Sequence, residues 1–158
     1  MKKILTTFLA SLFIIFALLG CSNKNTADPT KTTKQATKPP TQAAMVIDEK
    51  GSYTTREQVA AYLHKFKKLP ANYITKAAAR KLGWPKQGTL DKVAPGKSIG
   101  GDHFGNYDGK LPKENGLKYT ECDIDYVKGN RGAKRIVFDN KGHIYYCGDH
   151  YNTFEKLY

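Results

Sequence analysis

The strongest constraint in this sequence is a change of pattern near Ile99, where helix-type signals stop and strand-type alternation begins. After that point glycines, aromatic residues and period-two patterns predict strands joined by tight turns, because strand side chains alternate between the two faces of a sheet. The predicted strands cover residues 99–104, 118–124, 133–139, 143–147 and 153–156. Helices first and strands second is the α+β arrangement. We therefore expect N-terminal helices packed on a C-terminal antiparallel five-stranded sheet.

Two helices are predicted before the change of pattern. Thr55-Arg56-Glu57-Gln58 is a capping box, with Thr55 as N-cap, and the helix it opens ends by Leu69-Pro70. Thr75 opens a second helix that Gly83 stops. Lys76 falls in the first turn of this second helix, where a cation opposes the helix dipole. That unfavourable placement is a mild hint that Lys76 has a function.

The first 44 residues divide into two segments that are distinct from the rest of the chain. Residues 1–20 have two leading lysines and an apolar run, which is typical of a signal peptide. Leu18-Leu19-Gly20-Cys21 resembles the lipobox of bacterial lipoproteins, in which the cysteine carries lipid; an ordinary secretory signal is the alternative. Residues 21–44 are rich in Thr, Lys and Pro and predict a disordered tether. The folded domain is expected over residues 45–158.

The charge of that domain favours polyanionic partners. Residues 1–44 hold six of the 26 Lys and Arg and one of the 14 Asp and Glu, which leaves 20 against 13 and a net charge of +7. Such a charge attracts nucleic acid at long range. A soluble surface that is merely basic remains the alternative.

Four residues of the predicted meander suit chemistry at a phosphodiester. Glu121 lies in one strand, Arg131 and Arg135 follow it, and His150 ends the fourth strand. A base, an acid and cations are what attack at phosphorus requires. Taken alone, Glu121 is more ordinarily a solvated strand carboxylate. Asp123, two residues on, is expected to pair with Arg131 or Arg135.

The cysteines leave one question open. If Cys21 carries lipid, Cys122 and Cys147 remain in an oxidising compartment, and their number favours a disulfide. The strand through Ile136 should separate them by about 10 Å, which exceeds the roughly 7 Å that a disulfide tolerates. No pair of cysteines or histidines has metal-ligand spacing, so we expect no metal.

Four stretches carry a family resemblance. They are residues 69–76, Leu82-Gly83-Trp84, residues 93–102 (Val-Ala-Pro-Gly-Lys-Ser-Ile-Gly-Gly-Asp) and the segment Asp149-His150-Tyr151 with Thr153-Phe154. Together they resemble the barnase-like, guanyl-preferring microbial ribonucleases. The resemblance covers nearly all of residues 45–158 and none of the signal or tether.

The resemblance implies a role for each candidate residue. Glu121 would be the general base and His150 the general acid, while Lys76, Arg131 and Arg135 would stabilise the phosphorane. The product would be a 2′,3′-cyclic phosphate, with no cofactor. The residues expected to bind the base are Phe104, Asn106, Asp108 and Tyr151.

The base-binding loop departs from the family pattern. Relatives carry Phe-Ser-Asn-Arg-Glu-Gly where this chain has Phe104-Gly105-Asn106-Tyr107-Asp108-Gly109. Asp108 keeps the carboxylate but shortens the arm by one methylene, and Tyr107 removes a cation. Catalysis is therefore a firmer expectation than strict guanine preference.

The overall expectation is an extracytoplasmic, membrane-tethered endoribonuclease that acts as a monomer on RNA. The resemblance also implies an inhibitor protein of the barstar type as a partner. The competing hypothesis is a non-catalytic lipoprotein that binds nucleic acid. Only the enzyme needs Glu121, His150, Arg131 and Arg135 together.

The lipobox makes a testable prediction about the mature N-terminus. We expect processing before Cys21 and a lipid on its sulfur, because the apolar run and small residues match a lipoprotein signal. Mass spectrometry of the membrane-extracted protein checks this. A mature chain that begins elsewhere, or carries an unmodified cysteine, would contradict it.

Overall fold

The first half of the folded chain is helical, as its capping signals predict. A computed structural model describes residues 45–85 and 88–158. Helix α1, Arg56–Phe66, begins at Thr55, whose hydroxyl accepts the N–H of Gln58 at 3.4 Å. Helix α2, Lys76–Lys81, begins at Thr75, whose hydroxyl accepts the N–H of Ala78 at 3.1 Å. Both predicted helix starts are confirmed, and a 3₁₀ turn follows at Leu90–Lys92.

The second half forms a sheet whose strands follow one another in chain order. The five predicted strands are present and antiparallel to their neighbours. The prediction of five strands was one short, because Tyr73 and Ile74 pair in parallel with Ser98 and Ile99. This short strand is formed by pairing with residues 25 positions further on, and no local pattern marks such a contact. The strands are β1 Tyr73–Ile74, β2 Ser98–Phe104, β3 Tyr119–Asp123, β4 Arg135–Asp139, β5 Ile144–Cys147 and β6 Glu155–Lys156.

The two faces of the sheet have different partners. One face packs against α1 and forms a core that includes Val59, Leu63, Cys122, Ile136 and Ile144. The other face carries a smaller apolar cluster of Leu111, Tyr119, Val137 and Tyr145. Polar residues of β3 and β4 share this second face with the smaller cluster, since residues two apart in a strand point the same way. A third cluster around Trp84, Leu90 and Ile99 joins α2 to the sheet.

The two cysteines of the folded part do not form a disulfide. Cys122 in β3 and Cys147 in β5 are both buried free thiols. Strand β4 lies between them, with Ile136 paired to Cys122 and Arg135 paired to Cys147. The expectation that an intervening strand keeps the two cysteines apart is therefore confirmed. The expectation of a disulfide from the number of cysteines is wrong. Burial raises the pKa of both thiols, which keeps them protonated at neutral pH.

The N-terminal predictions lie outside the described residues. They are the signal peptide over residues 1–20, the lipidated Cys21 and the tether over residues 21–44. Among the residues that the structure does describe, no helix is long and apolar enough to cross a membrane.

A bulge in β2 sets the register between β2 and β3. Gly100 pairs with Cys122 and Asp102 pairs with Glu121, so Gly101 is the extra residue on the β2 side. Gly101 has φ +93°, a conformation that suits glycine. The bulge brings Asp102 beside Glu121 and so shapes the polar face of the sheet.

Gly100 should be the least replaceable glycine of this bulge. An added Cβ would lie 2.6 Å from Cβ of Cys122 and 2.7 Å from Cδ1 of Tyr73. Gly100→Ala should therefore lower the free energy of unfolding by about 1–3 kcal/mol, the usual cost of overpacking. Urea denaturation measures it. At Gly132 nothing lies within 4 Å of an added Cβ, so Gly132→Ala is the matched control. Equal stability of the two variants would contradict the packing argument.

Candidate active site

The polar face of the sheet holds two buried carboxylates. Glu121 and Asp123 lie on the same face of β3, and the register places Val137 opposite the first and Arg135 opposite the second. Glu121 is 6% exposed and Asp123 is 2% exposed. Buried carboxylates are stable only with cations or hydrogen-bond donors beside them.

Glu121 is held on both of its oxygens. Lys76 Nζ lies 2.5 Å from Oε1, and the hydroxyl of Tyr151 donates to Oε2 at 2.6 Å. Lys76 is the first residue of α2, and its backbone N–H donates to Asp102 at 2.9 Å, which holds it in this position. The ammonium group of Lys76, which opposes the dipole of α2, is therefore paired with the buried carboxylate of Glu121.

Asp123 is held by two arginines. Arg131 donates from Nε and one terminal nitrogen to the two carboxylate oxygens, each at 2.6 Å, and Arg135 Nε lies 3.1 Å from Oδ1. The predicted pairing of Asp123 with Arg131 or Arg135 is confirmed for both. Burial lowers the pKa of Arg131 and the contact with Asp123 raises it, with an upward net shift. Both guanidinium groups are thus held in fixed positions beside the acid.

Tyr151 connects the two ion pairs. Its hydroxyl donates to Glu121 and accepts from Arg135 Nε at 3.1 Å. Burial, followed by the bond to Glu121, raises the pKa of Tyr151, so the phenol stays protonated and remains a donor. The ring of His150 lies 5.2 Å from the ring of Tyr151. Tyr151 therefore contacts both the acid and the imidazole.

A tight turn presents His150 and Tyr151 to the site. Both residues have positive φ, 58° and 69°, which is uncommon outside glycine and needs compensation. Asp149 supplies it: its carboxylate accepts from the backbone N–H groups of Asn152 and Thr153 and from the Thr153 hydroxyl at 2.7 Å. The Sγ of Cys147 accepts from the backbone N–H of Tyr151. The bond to the Thr153 hydroxyl is the largest cause that lowers the pKa of Asp149 to about 2.

The candidate residues line two cavities. The first, of about 340 Å³, is lined by Lys76, Glu121, Tyr151, Phe154 and loop residues 103–108 and 110. The second, of about 500 Å³, is lined by Arg131, Arg135, His150 and their neighbours. Tyr151 lines the first cavity and bonds to Arg135 of the second. Tyr151 therefore connects the base-side cavity and the phosphate-side cavity, as we name the first and second.

The loop after β2 forms one side of the base-side cavity. The side chain of Asn106 is buried and bonds to both the N–H and the carbonyl of Leu111, at 3.0 and 2.8 Å, so it fixes the shape of the loop. Asp108 is exposed at the tip, with the ammonium of Lys110 3.9 Å away. Phe104 stacks on Tyr151 at 5.3 Å between ring centroids and forms the inner wall. The loop thus offers backbone groups, one carboxylate and aromatic surface.

The charges of the site are held by one another. Lys76, Arg131 and Arg135 carry three positive charges, and the carboxylates of Glu121, Asp123 and Asp102 lie beside them. The cations are the groups that a phosphate of a substrate would contact. Within residues 45–85 and 88–158, no three His, Cys, Asp or Glu residues cluster as metal ligands. The arrangement can supply a carboxylate base, an imidazole and cations to one phosphodiester.

Two positioning residues were missed by the sequence reasoning. Asp102 holds the start of α2, and nothing in its local sequence marks that contact. Asp149 holds the turn, and the aspartate followed by a threonine four residues on is a signal that could have revealed it. Tyr151, expected to bind the base, lines the cavity but has its hydroxyl on Glu121.

Comparisons with known proteins match this chain to one family. Residues 56–158 match the profile of the ribonuclease family. A ribonuclease of Bacillus pumilus is 42% identical over 169 aligned positions, which cover 99% of each chain. A ribonuclease of Heyndrickxia coagulans is 50% identical over 104 positions, which cover 65% of this chain and 95% of that protein.

The low pKa of Asp149 makes a prediction about acid stability. Because this pKa is about 2 in the folded chain and near 3.9 when unfolded, the carboxylate stabilises the fold above about pH 4, and the gain is lost as the pH falls through about 2. Thr153→Val removes the main hydrogen bond and should raise the Asp149 pKa, which flattens the pH dependence of the free energy of unfolding in that window.

The matched control for this prediction is Thr153→Ser, which keeps the hydroxyl. An NMR titration of the Asp149 carboxyl, with unfolding measured at each pH, follows both quantities. Identical titrations of the Val and Ser variants would show that the Thr153 hydroxyl does not set this pKa.

Proposed function

This chain belongs to the ribonuclease family of RNA-cleaving enzymes, and from that premise we propose that it is an endoribonuclease with Glu121 as general base and His150 as general acid. The observation that carries the proposal is that Tyr151 contacts two groups, the buried carboxylate of Glu121 and the exposed imidazole of His150. Two arginines lie on the side of the imidazole. A phosphodiester between these groups would meet a base, an acid and cations together.

In the first step the ribose 2′-oxygen attacks the adjacent phosphorus. Glu121 takes the proton of the 2′-hydroxyl as the 2′-oxygen–phosphorus bond forms. His150 gives a proton to the 5′-oxygen as the bond from phosphorus to that oxygen breaks. The products are a 2′,3′-cyclic phosphate and a free 5′-hydroxyl. An ionised carboxylate has about four acceptor sites. Glu121 can therefore accept this proton while its carboxylate remains bonded to Lys76 and Tyr151.

In the second step water opens the cyclic phosphate. The roles reverse: His150, now neutral, takes a proton from water, and protonated Glu121 returns one to the 2′-oxygen. The RNA supplies its own nucleophile in the first step, so no cofactor has a part in the proposal. DNA lacks the 2′-hydroxyl and would bind without being cut.

The cations stabilise the charge that develops on the phosphorane. Arg131 and Arg135 are already oriented by Asp123, so they need little reorganisation when the substrate arrives. Lys76 serves from the other side, where it contacts Glu121. The fixed positions of the three cations support this assignment.

We propose guanosine as the preferred base. The base-side cavity contains the exposed carboxylate of Asp108, which can accept hydrogen bonds from the Watson–Crick edge of guanine. Adenine presents a different edge, with one amino donor and no ring N–H. The family resemblance of the loop supports the same preference, while the shorter arm of Asp108 weakens it.

We also propose that the enzyme works outside the cytoplasm, anchored by lipid on Cys21. The apolar run and Leu18-Leu19-Gly20-Cys21 support this location. The mass of the mature N-terminus, described above, tests it.

His150 gives the sharpest test of the mechanism. His150→Ala should lower turnover by about 10²–10⁴-fold, because the leaving 5′-oxygen then departs without a proton. His64→Ala is the matched control, since His64 lies on α1 against Tyr158 and lines neither cavity. Single-turnover cleavage of a short RNA, with the product ends identified by mass spectrometry, should show cyclic phosphate.

Three further outcomes belong to the same experiment. The pH–rate profile should be bell-shaped, because one group must be ionised and the other protonated. EDTA should leave the rate unchanged. Intact RNA after incubation with the purified wild-type protein, or cleavage abolished by EDTA, overturns the mechanism; RNA that is bound and not cut favours the non-catalytic binding module.

Asp108 gives the test of base preference. A carboxylate one methylene short of the guanine edge should lose part of a charged hydrogen bond, which contributes about 1.5–3 kcal/mol. Asp108→Glu should therefore raise the ratio of kcat/KM for GpN over ApN dinucleotides, with the rate on GpN similar or higher. Equal ratios in the two proteins would mean that Asp108 does not read the base and that loop amides carry the preference.

A further inference from the structure

A second groove lies on the face of the sheet away from the catalytic acid. Its volume is about 540 Å³, and its walls come from the C-terminal end of α1, from β3 and from the turn that joins β4 to β5. Thr120 of β3 lines it, and because neighbouring residues of a strand point to opposite faces, Glu121 faces the other way. We name it the lysine groove, after its lining residues Lys67, Lys118 and Lys141.

The floor of the lysine groove is apolar. Leu63 and Ile144 are buried in the core between α1 and the sheet, and Phe138 packs against that core while remaining partly exposed. A positively charged groove with an aromatic ring in its floor is the usual form of a site for single-stranded nucleic acid. The volume of the groove is within the range of small-ligand sites.

Two lysines of the groove have no acidic partner. Among residues 45–85 and 88–158, neither Lys67 nor Lys118 forms an ion pair. The ammonium of Lys67 lies over the turn, 3.6 Å from where a Cβ added at Gly142 would be. The backbone of Lys118 is fixed, since its N–H donates to Oδ1 of Asn140 at 2.9 Å. Both ammonium groups are therefore available to an anion.

The acidic groups near the groove are already bonded. Oδ1 of Asp139 accepts from the backbone N–H groups of Lys141 and His143 at 2.9 and 3.0 Å, and Oδ2 lies 2.9 Å from Nδ1 of His143. The ammonium of Lys141 is paired with Glu114. Lys67 also follows the last residue of α1, where a cation stabilises the helix dipole. That structural role accounts for Lys67 and leaves Lys118 without one.

A third cavity connects the base-side cavity to the lysine groove. It has a volume of about 190 Å³ and shares residues 103–106 with the base-side cavity. Glu114, which also lines it, bonds to Lys141 of the lysine groove. Lys113 adds a further exposed cation on its wall. An RNA chain with one base in the base-side cavity thus has a continuous surface that leads to the lysine groove.

We propose that the lysine groove is a remote binding site for RNA, in which Lys67 and Lys118 contact phosphates distant from the bond that is cut. The inference rests on the proposed RNA cleavage at the catalytic site. Ammonium groups contact phosphates without reading the bases, and an apolar floor accepts any base. The lysine groove therefore adds affinity for long RNA and no base preference.

Binding of an uncleavable RNA tests the groove without catalysis. A 2′-O-methyl RNA of about 20 nucleotides, which has no free 2′-hydroxyl, is titrated into the full chain at several salt concentrations. Each phosphate contact of a single strand contributes about 0.7 to the slope of log affinity against log salt. Lys67→Gln with Lys118→Gln should therefore lower this slope by about 1.4 and weaken binding roughly 10- to 30-fold at about 0.1 M salt.

A matched control removes the same charge elsewhere. Lys92→Gln with Lys156→Gln changes two exposed lysines that line none of the four cavities described here, and should leave slope and affinity near those of the wild type. Lys118→Gln alone leaves the C-cap of α1 intact and should lower the slope by about 0.7, so a double variant that fails to fold does not end the test.

Cleavage kinetics separate the groove from the catalytic site. A GpN dinucleotide is too short to span both sites, so its kcat/KM should be the same in the wild type and in the Lys67→Gln, Lys118→Gln variant. On a long RNA the variant should have a raised KM and an unchanged kcat. Lys67→Arg with Lys118→Arg keeps both charges and should restore the wild-type KM.

Four results would overturn the proposal. They are an unchanged salt slope in the Gln variants, an equal loss in the control pair, an equal loss on the dinucleotide, and a loss of binding to phosphatidylglycerol vesicles without a loss on RNA. The last result would assign the groove to a membrane surface. The proposed function fails by a different observation: RNA that binds through these lysines and stays intact. The two failures are therefore distinguishable.

Discussion

The buried contact of Asp123 with Arg131 and Arg135 is the interaction on which the rest of the site depends. Asp123 and Arg135 are almost fully buried, and Arg131 closes the group with two short bonds. Loss of one member of such a buried group costs about 3–5 kcal/mol, because the remaining charges lose their partners. Arg135 also donates to the carbonyls of Gly132 and Lys134, so the same group fixes the loop that leads into β4. The cations are thus oriented before any substrate binds.

A chain of hydrogen bonds connects this group to Glu121 through Tyr151. Arg135 bonds to the Tyr151 hydroxyl, which bonds to the Glu121 carboxylate, which bonds to Lys76 at the start of α2. A change at one member therefore reaches groups on strands, a turn and a helix. The turn of His150 and Tyr151 is held by Asp149 despite two residues of positive φ. Such local strain is stable only where the surroundings over-determine the conformation.

The proposed catalytic groups and the proposed base-binding groups lie in differently built parts of the chain. Glu121, Asp123 and Arg135 are on β3 and β4 of the sheet, where register fixes their relative positions. Tyr107 and Asp108 are on a loop after β2, where side chains can change without disturbing the core. The departures of this chain from the family pattern in that loop are therefore expected to alter binding and preference more than chemistry.

Local patterns in the sequence determined the elements, and the tertiary structure decided how they meet. Thr55 and Thr75 cap helices through bonds to residues three positions on, and alternating side chains mark β2 to β6. Both signals lie within a few neighbouring residues, so the sequence alone predicts these elements. Three contacts join residues 25 to 30 positions apart: the pairing of the short strand at Tyr73, the contact of Asp102 with α2 and the bond from Tyr151 to Glu121. No local pattern encodes such contacts. For Cys122 and Cys147, composition favoured a bond, but the register of three strands kept them apart. The residue types were enough to suggest the chemistry. The register of β3 and β4, the bulge in β2 and the turn at His150 decided which of these groups share one face of the sheet.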